Sequence, residues 1–430
     1  MSASRQDSSV FSDRTCPDTP LLVVLGAGDR VYYGYALQHI AARYPVALLD
    51  EKPGEWACDV SAATVEVDLA ADEDVFRAVG AIAADRGVAG VLTYQDQHVE
   101  LAARLADFFR VPGNTPSSAT ACRDQHLAQS LLTAADILSI TPALAGDAGA
   151  GADAAVEHAS ALGGPVVLKP RILSGHAGGH RARHSREARE AFVTVRNPYQ
   201  PGGQCAGTGG VLIEAYIDGP EIGVECVVLD PDTVHVAAVS RTFTRDQPSA
   251  RESGHLVDAA DPVLRDPRIG RLAASAVAAV GLSRGVVHVQ MRLTHQGPRI
   301  TEIGATLAGD LIPHLVHLAT GLNLPQIAAD LATDADPDLV PSQSRCAAVR
   351  FLYPSVTGHV TAVHCGIQAA WLERLVWTAL PGEHVCASPS TSIRDRTALA
   401  VVTGGDPSSC RKRLQLVEER TGIHIQAGTA

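Results

Sequence analysis

Residues 21–50, LLVVLGAGDRVYYGYALQHIAARYPVALLD, pass from an apolar run through a glycine turn and a helical pattern into a second apolar run ending at Asp50. Few folds satisfy that order. Two buried strands joined by a helix-length segment lie parallel, because a parallel pair needs a crossover of a dozen or more residues. GVAGVLTYQDQHVELAARLADFF, from Gly87, continues the alternation. The expectation is an α/β protein that opens on a βαβ domain over residues 21–115. The Gly26-Ala27-Gly28 turn is a partial dinucleotide fingerprint, since Val31 occupies the place of the third glycine. A tight strand-to-helix turn is the simpler reading.

The chain has 430 residues, and at ~150 residues per domain that implies two or three domains. A hydrophobic fraction of 46% with 19% charged residues is globular. The net charge of −12 argues against nucleic acid or an anionic membrane as partner, since both select basic surfaces. A small anion held by a few local cations stays open. Nine cysteines without a CxxC pair suggest neither a disulfide framework nor a thiolate metal knuckle, so a reducing cytoplasm is expected. No apolar stretch reaches the ~18 residues of a membrane span. Residues 1–20, polar and rich in Ser and Asp, read as a disordered tail rather than a signal peptide.

Further along, ACRDQHLAQSLLTAADILSITP reads as one amphipathic helix stopped before Pro142. A helix around residues 156–162 and a buried strand, GGPVVLKP, follow. GGVLIEAYIDGPEIGVECVVLD gives two strands about the Gly219-Pro220 turn, and DPRIGRLAASAVAAVGL a helix. PHLVHLATGLNLPQIAADLA is helical. From about Ser344 the pattern changes to short strands, and a helix from Ser408 to Thr421 closes the chain.

Two features carry chemistry. Lysine is scarce: Lys52, Lys169 and Lys412 are all there is. Lys169 ends an apolar strand and precedes PRILSGHAGGH. A cation beside a glycine loop suits polyphosphate, because glycine lets backbone N–H groups approach phosphate oxygens. A solvated lysine beside an ordinary hairpin is the bland alternative. In VVHVQMRLTHQGPRITEIGATLAGD, two strands meet at a tight turn and Glu302 faces Gln290. Two carboxylates there would hold a metal ion, and this pair is half acidic. His176, His180 and His184 recur every four residues and could share a helix face for zinc. Ala177-Gly178-Gly179 is a poor helix segment, so loop histidines near phosphate are the preferred reading.

The order VVLKP, SGHAGG, VLIEAYIDGPE, HVQMRL and GPRITEIGATLAGD resembles the ATP-grasp superfamily, in particular the carboxylate–amine ligases that make dipeptides from free amino acids. The resemblance runs from about Leu21 to the C-terminus. It implies an ATP-grasp fold: the N-terminal βαβ domain, a split central domain over 116–335 with a lid at about 163–230, and a strand-rich subdomain over 336–430. It implies ATP and Mg²⁺ (or Mn²⁺). Lys169 would contact the phosphates, under a loop including Ser174, Gly175, Gly178 and Gly179. Glu214, with the backbone of Ala215 and Ile217, would hold adenine, and Glu221 the ribose. Glu302 and Gln290 would stand at the metal, and His255 on the substrate side.

Three positions depart from that pattern. Gln125 stands in place of a phosphate-binding lysine, Gln290 in place of the first metal carboxylate, and Thr306 in place of an arginine that steadies the reacting group. Arg292, on the same strand face as Gln290, is the candidate to compensate. Arg123, Arg171 and Arg241 are others. The implied activity is ATP-dependent amide or peptide bond formation through an acyl phosphate, with small carboxylate and amine substrates, expected to be amino acids. A homodimer is compatible with it. The alternative is a diverged protein that binds nucleotide or ligand without ligation.

Overall fold

The computed structural model describes residues 19–140, 142–145, 151–172, 179–196, 210–245, 251–387 and 395–427. The N-terminal unit alternates β1 (Leu21–Leu25), α1 (Arg30–Ala41), β2 (Val46–Asp50), α2 (Glu55–Cys58), β3 (Ala63–Glu66), α3 (Asp72–Asp85), β4 (Val88–Leu92) and α4 (Val99–Phe109). Its sheet has the order β3-β2-β1-β4, and every pairing is parallel, as the βαβ opening requires. At the end of β1 the chain turns through Gly26 and Gly28, both at positive φ. Asp50 at the tip of β2 accepts from the Ala27 and Lys52 amides and fixes that turn.

The stretch read as one helix before Pro142 is two helices, α5 (Pro116–Arg123) and α6 (Gln125–Ala134), with Ala143–Ala145 forming β5. Asp124 breaks it. Its backbone is extended, and its carboxylate accepts from the His126 and Leu127 amides as the N-cap of α6. Capping was the stronger preference of that residue than helix continuation.

A small sheet follows, built from β5, α7 (Gly151–Leu162), β6 (Val166–Pro170), β7 (His180–Ala182), α8 (Ser185–Arg196) and β8 (Val211–Ala215) in strand order β5-β8-β6-β7. The unit spans residues 143–215, against the 163–230 expected for the lid.

Next come β9 (Glu221–Asp230), β10 (Thr233–Arg245), β11 (Arg251–Asp258), α9 (Pro267–Ala279), β12 (Gly285–Thr294), β13 (Gly297–Gly304), α10 (Ile312–Thr320), α11 (Leu324–Ala332) and β14 (Cys346–Leu352). β15 (Gly358–Cys365), β16 (Leu372–Trp377), β17 (His384–Val385), β18 (Ala398–Gly404), α12 (Pro407–Arg420) and β19 (Thr421–Ala427) complete the described chain. The segment read as one helix near residue 320 is α10 and α11. Gly321, at φ 82°, ends the first, and Asn323 caps the second.

The large sheet runs β13-β12-β9-β10-β11-β14-β18-β16. It crosses residue 336, so β14, β16 and β18 share one sheet with the central strands. β15, β17 and β19 form a separate three-stranded sheet. Strand alternation gives the large sheet two faces. Ile222, Val224, Cys226, Val287, Val289 and Met291 point into one core with α6 and α9. Val227, Val257 and Val286 lie on the other face, under α10 and α11. Further along β9 and β12 that second face turns polar and stays only partly covered.

Helix α1 docks on α10 through aromatic rings. Tyr35 meets His314 at 5.0 Å, and His39 meets His317 at 5.2 Å. His39 Nδ1 also lies 3.2 Å from Asn323 Oδ1. Burial holds His314 neutral, pushing its pKa down to about 4, and lowers that of His39 as well. An unfolded histidine protonates near ~6.5. As pH falls below that value the unfolded chain takes up protons that the folded chain refuses until about 4. Stability therefore declines across that interval. Urea unfolding between neutral pH and about 4.5 should show this decline, and His314→Gln should flatten it.

Candidate active site

The candidate site lies where the small sheet meets the polar half of the large one. On β9, Glu221, Gly223 and Glu225 face it, and on β12, His288, Gln290 and Arg292. Glu302 comes from β13, in register with Gln290 as the hairpin reading expected. The register slips between Gln290 and Met291, so Thr301 is an extra residue, a β-bulge. The bulge has a consequence. The Thr301 carbonyl is offered to two residues from outside the sheet, Lys169 Nζ at 3.3 Å and Gln129 Nε2 at 3.0 Å.

Lys169 is 7% exposed, and its ammonium lies 2.9 Å from Glu214 Oε1, on the neighbouring strand of the small sheet. Glu214, at 3% exposure, is thus spent on the lysine. Ala215 and Ile217 follow at the end of β8 and in the link to β9, Ala215 being exposed. Gly179 precedes β7. Ser174, Gly175 and Gly178 lie outside the described residues, as does His176. His180 is in strand β7 and His184 sits ahead of α8, so no helix aligns these two for a metal.

Each oxygen of Glu221 accepts one hydrogen bond. Gln290 Nε2 donates to its Oε1 at 3.0 Å, and Arg292 Nη2 to its Oε2 at 2.6 Å. Arg292 also donates to the Gly219 carbonyl at 3.1 Å and flanks the Tyr216 ring, which Arg181 covers at 3.7 Å. The guanidinium is therefore tied to the chain linking the two sheets. Glu225, fully buried, holds His288 Nδ1 at 2.9 Å. Burial alone would favour the neutral ring, but the Glu225 charge and hydrogen bond outweigh it and push the His288 pKa up to about 9.

Glu302 differs from these. Its carboxyl makes no hydrogen bond or ion pair among the described residues. Burial first, then the charges of Asp96 and Glu214, raise its pKa, with Lys169 opposing. A carboxylate held high by burial and like charges is one a cation would stabilise.

The two altered positions outside the sheet are neutral and buried. Gln125 is 2% exposed at the start of α6, with no hydrogen-bond partner for its Oε1. Thr306 donates to the Thr93 carbonyl at 3.3 Å and lines an apolar cavity with Leu92, Val286 and Leu331. Two of the arginines considered as substitutes are taken. Arg171 holds Asp124 through both carboxylate oxygens, and Arg241 does the same to Asp261.

His255 lies in a second polar cluster on the same face. Its Nε2 is 3.4 Å from Asp310 Oδ2 and 3.7 Å from Glu252. Loss of solvent around the Glu252 carboxyl, with Asp310 among its neighbours, pushes that pKa up to about 7. These three could together face a metal ion, but Arg396 already supplies the positive charge. It grips Asp310 with two hydrogen bonds of 2.6 and 2.8 Å, both side chains almost wholly buried. It also stacks on Phe351 at 3.5 Å. Sequence reading missed Arg396, Glu225 and His288. The last two sit at alternating positions beside Glu221 and Gln290, so strand periodicity could have found them. Arg396 had no local signal, because its partner is 86 residues away.

Residues 162–314 match the ATP-grasp domain family. The chain carries an ATP-grasp domain. Its structure has the ATP-grasp fold: it superposes on an L-amino acid ligase from Bacillus licheniformis with a TM-score of 0.77, at 18% identity, covering 95% of this chain and 99% of that one. A phosphoribosylglycinamide synthetase from Anaerococcus prevotii gives 0.69 at 16% identity, over 95% and 100%. In sequence, the chain is 27% identical to protein y4rH of Sinorhizobium fredii over 62% of its own length and 53% of that protein's. It is 22% identical to Homo sapiens carnosine synthase 1 over 81% of its length and 41% of that protein's. It thus spans about half or less of these curated relatives. No described helix is long and apolar enough to cross a membrane.

Asp310→Asn should leave the Arg396 guanidinium buried without a counter-charge. Urea unfolding should show a loss of about 3–5 kcal/mol.

Proposed function

We propose that this protein is an ATP-dependent carboxylate–amine ligase. In this reading a small carboxylate, an amino acid, is phosphorylated and the acyl phosphate is attacked by an amine, with ADP and phosphate released. The observation that carries it is the convergence of Lys169 and Glu302. One is a buried ammonium fixed from the small sheet, the other a half-buried carboxyl without a partner among the described residues. The similarities to an L-amino acid ligase and to carnosine synthase 1 support the substrate class.

Phosphoryl transfer between two anions needs cations between them. Lys169 contributes a fixed charge, held in place by Glu214 and the Thr301 carbonyl. Glu302 would hold a divalent ion, whose bound form neutralises phosphate charge. Glu221 and the segment from Glu214 to Ile217 lie where the two sheets join and would take ribose and adenine. Arg292 holds Glu221 in the orientation it needs and carries charge beside the phosphates. His255, steadied by Asp310, would face the amino-acid substrate. The small sheet would close over the site and keep water from the acyl phosphate.

The alternative, nucleotide binding without ligation, draws on Gln125 and Thr306, neutral where a lysine and an arginine are expected. Incubation with ATP, Mg²⁺ and a panel of amino acids separates the two. The ligase reading expects ADP and phosphate release that depends on both amino acids. Lys169→Met and Glu302→Ala should each lower it by ~100-fold or more. Release unchanged in Glu302→Ala would sink the metal assignment, and ATP binding without release under any pairing would favour the alternative.

A further inference from the structure

The polar floor of the site carries four glutamates on β8, β9 and β13, and three of them are spent. Glu214 pairs with Lys169 at 2.9 Å, Glu225 with His288 at 2.9 Å, and Glu221 with Arg292 at 2.6 Å. Glu302 remains.

Gln290, beside it in register, is committed at both ends. A carboxylate only accepts, so the amide must present its NH₂ to Glu221, and its Nε2 lies 3.0 Å from Glu221 Oε1. That fixes Oε1 on the other side, where it accepts from the Thr301 hydroxyl at 3.0 Å. An ion bound there would have to share a neutral oxygen with that hydroxyl. It would also sit beside the guanidinium of Arg292, two residues along on the same face. Charge repulsion and the lack of a free anionic oxygen both act against it.

Resting on the ligase reading, we propose that the nucleotide complex of this protein carries one divalent ion per chain, on Glu302. Gln290 is a positioning residue that holds Glu221 and takes no part in metal binding. The bulge at Thr301 is what makes this arrangement, because it places the hydroxyl against Gln290 and the carbonyl against Lys169.

The test counts ions, independently of turnover. The intact protein is titrated with Mn²⁺ and a non-hydrolysable ATP analogue. Free Mn²⁺ is followed by electron paramagnetic resonance, and bound nucleotide by equilibrium dialysis. One protein-bound Mn²⁺ per bound nucleotide is expected. Glu302→Gln should weaken Mn²⁺ binding at least tenfold, and Gln290→Glu, which adds a carboxylate at the same place, should raise the count to two. Two ions on the unaltered protein would overturn the proposal and leave the ligase reading intact. Nucleotide bound without Mn²⁺ at the protein would overturn the assignment to Glu302. No nucleotide bound at all would overturn the ligase reading itself. The count on the unaltered protein decides even where a variant fails to fold.

Discussion

The eight-stranded sheet is the constraint on which the rest of the molecule depends. One of its faces is closed over by α6 and α9 along β9 and β12, where the residues in that core are apolar, and by α12 along β14 and β18. The opposite face is apolar only where α10 and α11 cover it. Beyond their edge the same strand positions become Glu221, Glu225, His288, Gln290 and Arg292. Glu225 is fully buried there and is matched by His288, while Glu221, His288, Gln290 and Arg292 stay partly exposed, so the face turns polar where its charges are paired or reach solvent. The second cluster, at His255 and Asp310, lies on that face too, three strands further across.

Charge placement within the site follows from burial. Charged groups taken out of water must be paired or the fold loses several kcal/mol. Lys169 with Glu214, Glu225 with His288, and Asp310 with Arg396 satisfy that demand internally. Two of these residues also join separate pieces. Lys169 ties the small sheet to the bulge of the large one, and Arg396 ties the residues ahead of β18 to the loop after β13. Glu302 is the exception, and an unmet charge in an otherwise matched set is the place where a ligand's charge can act.

Much of this was legible in the chain. The βαβ opening, the β12–β13 hairpin with Gln290 opposite Glu302, and Lys169 at the end of a buried strand all follow from local patterns of period two or from turn residues. The errors were local as well. Asp124 could continue a helix or cap a new one, and nothing nearby in sequence decided it. The link between β8 and β9 looked like a hairpin turn, but the two strands belong to different sheets, because Val211–Ala215 pairs with β5 and β6 instead. Arg171, Arg241 and Arg292 looked available as replacement cations, yet each is bound to a carboxylate 20 or more residues distant in the chain.

By itself, then, the sequence determined which segments are strands and helices, which faces are apolar, and which residue types gather near a phosphate-sized loop. These properties depend on periodicity and backbone preference, and both are written within a few residues. Tertiary structure decided which charges are free. Whether Glu302, Gln290 or Arg292 can meet a ligand depends on partners brought in from other strands. A side chain's availability is set by what surrounds it in space, and neighbours in space are fixed only once the sheets have been assembled.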